Sequence, residues 1–414
     1  MGTYNTGIGD RGWGIMLSAS RRFARQSHIE GTPYEAFSFL LSLGYQPSEK
    51  HDFSLVGVYA SNYRGRSSAI TAEVLELRGS SYNPYWGLQD GKVRNARMRY
   101  IGEPFLNFRY RFKGDSFSCT LAGAFQRGTQ FRSRLAYFNA PNPDPAYYRN
   151  LPSYYWNSPT GPNLLSAEAS REDFLNSSQI RWGELYKANQ NRLTPESAAY
   201  LLLSDRSDEQ QVSFNAFSAL KLGQRWRLRS GALYRKALTH NYALLDDLLG
   251  AALHKDLDPF SNTRNDLDGT LEKTKGDRVG YNYLIHARHW ELFTSLELDY
   301  PRWNAFLAAC YGMREIRREG LYRNERYPEN SAGLGESLSL PSRQLKWGGN
   351  FFIDGRNRWQ VNAALLEEPP AVRNLFINAR DHFKTLPDIP IEKIQAFETS
   401  YYLRGGILSS RASA

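Results

Sequence analysis

RWRLRSGALYR (residues 225–235) sets Trp226, Leu228, Ala232 and Tyr234 on one parity and Arg227, Arg229, Gly231 and Arg235 on the other. A period of two is the repeat of a β-strand, in which successive side chains leave opposite faces. Arginine at every second position means a face in continuous contact with water. The opposite face is apolar, so the strand separates two environments.

The same pattern recurs along the chain. In QVSFNAFSALKLG (211–223), Val212, Phe214, Ala216 and Leu220 oppose Ser213, Asn215 and Lys221. In RWQVNAALL (358–366), Trp359, Val361, Ala363 and Leu365 oppose Gln360, Asn362 and Ala364. Short turn-like segments join some neighbours: QPSEKHD (46–52), KGDS (113–116), LGQR (222–225), LDYPR (298–302) and DGRN (354–357). The alternate connections, near 62–97, 128–210, 240–278, 318–342 and 368–391, are far longer than is usual inside a compact soluble domain.

Short turns at one end and long loops at the other predict an all-β, antiparallel transmembrane β-barrel, with periplasmic turns and extracellular loops. Each strand pattern covers about 10 to 15 residues, sufficient at a tilt near 45° to cross an apolar band about 25 Å tall. Trp226, Trp303, Trp359, Phe112 and Phe117 cluster at the turn-proximal strand ends, where an interfacial aromatic girdle belongs. The reading gives about 13 strands, starting near Trp13, and an odd count points to a partial barrel.

Composition agrees with this class. The 414 residues include 26 Tyr, 22 Phe and 9 Trp but only 4 Met, a balance that favours pleated structure over helix. No apolar run reaches the length of a helical span. A mean hydropathy of −0.57 is compatible with a barrel whose strands are half wetted. The net charge of +10 suits an anionic neighbour such as outer-membrane lipid or lipopolysaccharide. Its arginines are scattered through strand patterns rather than gathered in a basic block, so nucleic acid is not an expected partner. Cys119 and Cys310 are the only cysteines, too few for a disulfide framework or a four-thiolate zinc site.

Two segments inside the long connections read as helices: LTPESAAYLLLSD, with Thr194, Pro195 and Glu196 at its start, and SQIRWGELYKANQ before it. His286 and His289 in HARHW would share a helical face for a metal but leave opposite faces of a strand. NDLDG places Asp266 and Asp268 in a glycine turn without the spacing of a calcium loop. No GxSxG or P-loop occurs, and only His240, expected at the outer end of its strand, is placed for barrel-rim hydrolysis. No catalytic residue, metal or cofactor is therefore expected. The rival readings are an outer-membrane barrel enzyme, such as a lipid hydrolase or protease, and a soluble β-rich binding module.

GWGIMLSASRRFA (12–24) with EGTPYEAFSFLLSLGY (30–45) is similar to the first barrel hairpin of the TonB-dependent outer-membrane receptors. YNPYWGLQDGKVRNAR (82–97), NPDPAYYRNLPSYY (142–155), WGELYKANQ (182–190) and GLYRNERYPENSAG (320–333) resemble their later loops. The resemblance implies a barrel of about 22 strands with an N-terminal plug, driven by the TonB energy-coupling complex, that imports a scarce metal chelate, cofactor or glycan. Residues 1–414 would form a partial barrel domain, without signal peptide, coupling box, plug or terminal aromatic strand, and Met1 would belong to a truncated reading frame. The expected contacts to a small-molecule or oligomeric ligand are Tyr85, Trp86, Arg94, Tyr147, Tyr148, Tyr154, Tyr155 and Trp156, together with lumen-facing arginines.

Overall fold

A computed structural model describes residues 1–191, 197–406 and 409–414. Fourteen strands, among the described residues, run in sequence order as one antiparallel meander. They are β1 (Gly2–Ile8), β2 (Trp13–Ala24), β3 (Tyr34–Ser48), β4 (His51–Gly65), β5 (Met98–Lys113), β6 (Phe117–Tyr137) and β7 (Tyr200–Leu222). The others are β8 (Trp226–Asp247), β9 (Arg278–Tyr300), β10 (Trp303–Gly320), β11 (Leu338–Phe352), β12 (Asn357–Glu368), β13 (Glu392–Arg404) and β14 (Ser409–Ser413). Every strand pairs with its sequence neighbours, and β1 and β14 are the two edges of an open sheet.

The count exceeds the expected 13 because a strand precedes Trp13. GTYNTGI has no apolar alternation, but its backbone completes the edge of β2 from Gly2↔Ala19 to Ile8↔Gly14. Residues 49–50, 114–116, 223–225, 301–302 and 353–356 close turns at one end, as expected from the sequence, and residues 9–12, which the sequence did not mark as a turn, close another there. The connections 25–33, 66–97, 248–277, 321–337 and 369–391, and the described parts 138–191 and 197–199 of the connection between β6 and β7, lie at the other. Strands on the long-loop side reach further than their alternation suggested: β6, β7, β8 and β9 have 21, 23, 22 and 23 residues. Beyond the apolar band both faces contact loops or water, so the period of two fades while the ladder continues.

The expected faces are the observed ones. Trp226, Leu228, Ala232 and Tyr234 lie opposite Leu222, Leu220, Ala216 and Phe214, and opposite Leu298, Leu296, Leu292 and Trp290, on the convex face. Phe214, Leu292 and Leu307 stay 57%, 56% and 53% exposed on that face, an arrangement suited to lipid rather than to water. From Leu298 to Trp290 the apolar stretch covers roughly 27 Å of strand, or about 20 Å along the normal at a tilt near 45°.

At the turn end Trp13 stacks on Tyr45 at 4.3 Å, Phe53 and Tyr110 meet at a tilt at 4.8 Å, and Tyr300 stacks on Trp303 at 4.5 Å. Aromatic rings with one polar edge suit the lipid–water interface.

Register gives the strands their stagger. One ladder row begins at Trp13, Tyr45, Phe53 and Tyr110, passes Leu121, Ala216, Ala232 and Leu292, and finishes at Tyr311, Arg343 and Glu367. It starts in the turn-side girdle and ends at an ion pair, Arg343–Glu367 at 3.2 Å, nearer the long-loop rim. Strands that tilt and shear in this way are what closure of a barrel requires.

The long connections contain α1 (Ala72–Arg78), α2 (Pro152–Trp156), α3 (Leu164–Asn176) and α4 (Trp182–Gln190). The helix expected over SQIRWGELYKANQ is α4. The other expected helix starts on Thr194, Pro195 and Glu196, which lie outside the described residues, and from Tyr200 its sequence is strand β7. YLLL carries helix-compatible side chains, but here the ladder to β6 and β8 takes them.

Candidate functional site

The dry core of this protein lies at its long-loop end. Trp182, Leu201, Leu245, Leu249, Ile316 and Leu375 are fully buried there, where connections fold over the strand extensions. The cap they form stands over the polar concave face of the sheet.

YNPYWGLQDGKVRNAR supplies one piece of this cap. Trp86–Gln89 pairs with Lys92–Asn95 as a two-stranded ribbon, and the turn residues Asp90 and Gly91 have φ of 50° and 75°. Successive positive φ values make a primed hairpin turn, for which Asp-Gly is a strong sequence signal. The sequence reading treated this stretch as a loop and missed that signal.

The ribbon aims Arg94 at β8. Its Nη2 donates to Asp247 Oδ2 at 2.7 Å, its Nη1 to Gln89 Oε1 at 2.6 Å, and its guanidinium covers the Trp182 ring at 4.4 Å. Trp182 Nε1 in turn donates to the Arg94 carbonyl at 3.3 Å. Trp86 packs against Gly31, where a Cβ would come within 2.0 Å of the indole, and its carbonyl accepts from Ile180 N–H at 2.9 Å. Tyr85 lies under the Arg97 guanidinium at 5.2 Å. The structure therefore places Tyr85, Trp86 and Arg94 in the packing between connections.

The other five candidates gather elsewhere. Tyr147–Tyr148, Tyr148–Tyr154 and Tyr154–Tyr155 meet edge-on at 4.7, 5.6 and 5.3 Å, a chain of rings with Arg149 Nε donating to Tyr148 Oη at 3.0 Å. Trp156 follows at the end of α2, 54% exposed. Glu73 anchors this group by accepting from Ser153 N–H at 2.8 Å and from Ser153 Oγ at 2.6 Å.

Three asparagines hold the cap, and sequence reasoning did not find them. Asn83 Nδ2 donates to the carbonyls of Glu30 and Arg66 at 2.9 and 3.1 Å, and Asn95 Nδ2 to those of Gly31 and Arg66 at 2.7 and 3.1 Å. Asn189 Oδ1 accepts from Ala199 and Tyr200 N–H at 2.9 and 3.1 Å. Buried loop backbone must be paired, and a side-chain amide can do this where no ladder exists.

Arg318 does the same with a charge: 2% exposed, it donates from Nε to the Ala379 carbonyl at 2.7 Å and from Nη1 to that of Ser331 at 2.8 Å. NDLDG also ties connections together, since Asp268 pairs with Arg323 at 2.9 Å and Asp266 Oδ1 accepts from Arg323 N–H at 3.3 Å.

Beneath the cap the concave wall is rich in arginine. Arg227 and Arg229 share Glu297 at 3.5 and 2.8 Å, and Arg109 and Arg111 share Asp52 at 3.1 and 3.5 Å. A cavity of about 530 Å³ on this wall is lined by Arg22, Tyr34, Asn62, Arg64, Arg99 and Glu103, among others. A second, of about 500 Å³, includes Arg235, His289 and Arg314. His289 lies across from Arg235 and Arg314 on this wall, whereas His286 is on the convex face and its Nε2 meets Glu319 at 2.7 Å. His240 is not at its strand's outer end, because β8 continues to Asp247; its Nε2 meets Asn282 Oδ1 at 2.7 Å.

No family model matches the sequence, and no curated protein matches it. Solved structures do. The chain superposes on the unliganded ferric citrate transporter FecA with a TM-score of 0.60 at 10% identity, over 99% of this chain and 47% of that one. It superposes on the closed form of the ferric-catecholate import receptor Fiu from K12 E. coli with a TM-score of 0.56 at 10% identity, over 97% and 53%. For the copper transporter OprC the TM-score is 0.55 at 10% identity, over 98% and 49%. The chain thus spans about half the length of these structures. The likeness is one of fold, that of an outer-membrane β-barrel.

Proposed function

We propose that this chain is part of the barrel of a TonB-dependent outer-membrane importer. The observation that carries the reading is the two-sided sheet: an apolar convex belt, a polar and arginine-rich concave wall, and every long connection folded into a cap at one end. An aqueous binding module would not leave Phe214, Leu292 and Leu307 outward on neighbouring parts of one sheet. The superposition on part of solved importers supports the same reading.

In this account the convex belt contacts lipid and lipopolysaccharide, the cap faces outward, and the ligand passes down the concave wall. The ring chain of Tyr147, Tyr148, Tyr154 and Tyr155, with Trp156, is the outermost candidate contact. Tyr85, Trp86 and Arg94 position the cap above the lumen. Coupling to the TonB complex would run through a plug region of the complete barrel of about 22 strands.

The test is deletion of the coding region in the source bacterium, with uptake measured for ferric chelates, copper, corrinoids and glycans. One class should fall to the level of cells lacking the energy-coupling complex. Equal uptake of every class with and without the gene contradicts the proposal.

A further inference from the structure

Three arginines face one another across three adjacent strands. Arg64 on β4 is the ladder partner of Arg99 on β5, and Arg99 is the partner of Arg132 on β6. All three share the parity of the concave wall, and Arg22 on β2 lines the same cavity of about 530 Å³ as Arg64 and Arg99. Partners on neighbouring strands are about 5 Å apart at Cα, and like charges directly opposite one another destabilise a sheet.

Several arginines elsewhere on this wall are matched, Arg227 and Arg229 by Glu297, Arg109 and Arg111 by Asp52, Arg134 by Asp205, whereas Arg235 and Arg314 beside the second cavity are separated by His289 and do not face one another directly. Among the described residues, no ion pair engages Arg22, Arg64, Arg99 or Arg132, although Glu103 lines the cavity. The Arg99 Nε–H is buried without a hydrogen-bond partner. Asp205, which lies across from Arg132 on β7, is already used by Arg134 at 3.3 Å and by Tyr281 Oη at 2.9 Å.

From this geometry we infer that the Arg64–Arg99–Arg132 row, with Arg22, is the contact surface for a small soluble anion carrying more than one carboxylate or phosphate group. The guanidinium fork matches the paired oxygens of either group and binds them bidentately. The row supplies several such forks side by side, so it favours a polyanion over a monoanion. A cavity of this size holds a small ligand. The wall faces away from the convex lipid belt, which selects a soluble anion over a lipid headgroup. The inference names the ligand class of the proposed importer and rests on that reading for its physiological meaning.

The experiment uses the full-length protein, purified from outer membranes in detergent, and calorimetric titration with tricarballylate, pyrophosphate and, as neutral comparison, raffinose. Lipid A micelles form a separate arm. Wild-type protein should bind both soluble anions and not raffinose, with affinity falling as salt is raised. Arg99→Gln and Arg132→Gln should each weaken binding tenfold or more. Arg99→Lys, which keeps the charge and loses the fork, should fall between, while Arg21→Gln, on the convex face and paired with Glu35, should match wild type.

Heat-modifiable migration checks that each variant is folded, and Arg64→Gln, at an exposed guanidinium, replaces any that is not. Absence of anion binding, equal affinity in the row variants, or binding of lipid A alone overturns the inference. Uptake is scored separately. A protein that imports its nutrient but binds no anion keeps the importer reading and loses this one; a protein that binds anions but resides outside the outer membrane does the reverse.

Discussion

Arg94 and Asp247 are separated by 153 residues, and their side chains meet at 2.7 Å. The contact fastens the 82–97 stretch to the outer end of β8, with Trp182 of α4 beneath the guanidinium at 4.4 Å. Both side chains are mostly shielded, at 22% and 29% exposure, so removing one partner leaves the other charge poorly solvated. Arg94→Ala should loosen the cap by about 1–3 kcal/mol. Hydrogen exchange should report faster opening of residues 85–97 and 182–190, with the β2–β5 ladders unchanged. Uniform protection in the variant would show that the pair is incidental.

The two faces of the sheet predict opposite tolerances. Leu307→Arg places a cation in the middle of the convex belt and should cost about 2–4 kcal/mol in folding into vesicles. Ser295→Asp, on the concave wall, should change stability by no more than about 0.5 kcal/mol. Urea titration in lipid vesicles measures both. Equal costs would remove the distinction between the faces.

Acid should weaken the cap through His254. This side chain is 3% exposed, with Nδ1 at 3.1 Å from Ser197 Oγ and its ring 4.8 Å from Phe138. Burial holds its pKa down at about 4. The unfolded chain takes up the proton first, near pH 6.5, so the stability due to the neutral ring is complete above about 6.5 and is lost as pH falls toward 4.

The nearby Asp256 acts in the opposite sense, because burial raises its carboxyl pKa and its contribution is lost as pH rises above the usual carboxylate range. His254→Gln separates the two. It should flatten the decline between pH 6.5 and 4, read by hydrogen exchange of residues 248–277, while an unchanged profile would assign the decline to other groups.

Gly87 lets the ribbon lie against the segment that leads into α4. A Cβ there would fall 1.9 Å from the Ile180 carbonyl oxygen, and that atom is backbone and cannot step aside cheaply. Gly87→Ala should therefore separate the ribbon from the 177–181 segment at a cost of about 1–3 kcal/mol. Increased proteolysis near residues 87–97 checks it; wild-type resistance would mean that the backbone relaxes without loss.

What the sequence revealed, and what it did not, follows from which forces have a period. Trp226, Leu228, Ala232 and Tyr234 could be placed on one face because lipid on one side and water on the other impose a repeat of two. The turns could be placed because Gly114, Gly223 and Gly355 punctuate it. The strand extensions, such as Tyr200–Ser204 in β7, could not, since both of their faces pack and the alternation disappears. The cap was less legible still: Asn83, Asn95, Asn189 and Arg318 act by bonding carbonyls distant in sequence, and no spacing rule announces such partners. Asp90-Gly91 was legible in principle. The arginine row depends on register across three strands, which only the folded sheet defines.

The account as a whole stands on which surface meets lipid and which end meets the outside. Single cysteines in a background with Cys119 and Cys310 replaced test this directly, by labelling whole cells with an impermeant maleimide and embedded protein with a lipid-phase nitroxide quencher. A cysteine at Tyr148 should label from outside intact cells. One at Gly223 should label only after the outer membrane is opened. One at Leu292, labelled with a fluorophore, should be quenched from the lipid phase and resist the aqueous reagent. Labelling of Leu292→Cys by the aqueous reagent without lipid quenching, or labelling of Gly223→Cys from outside intact cells, would contradict the account.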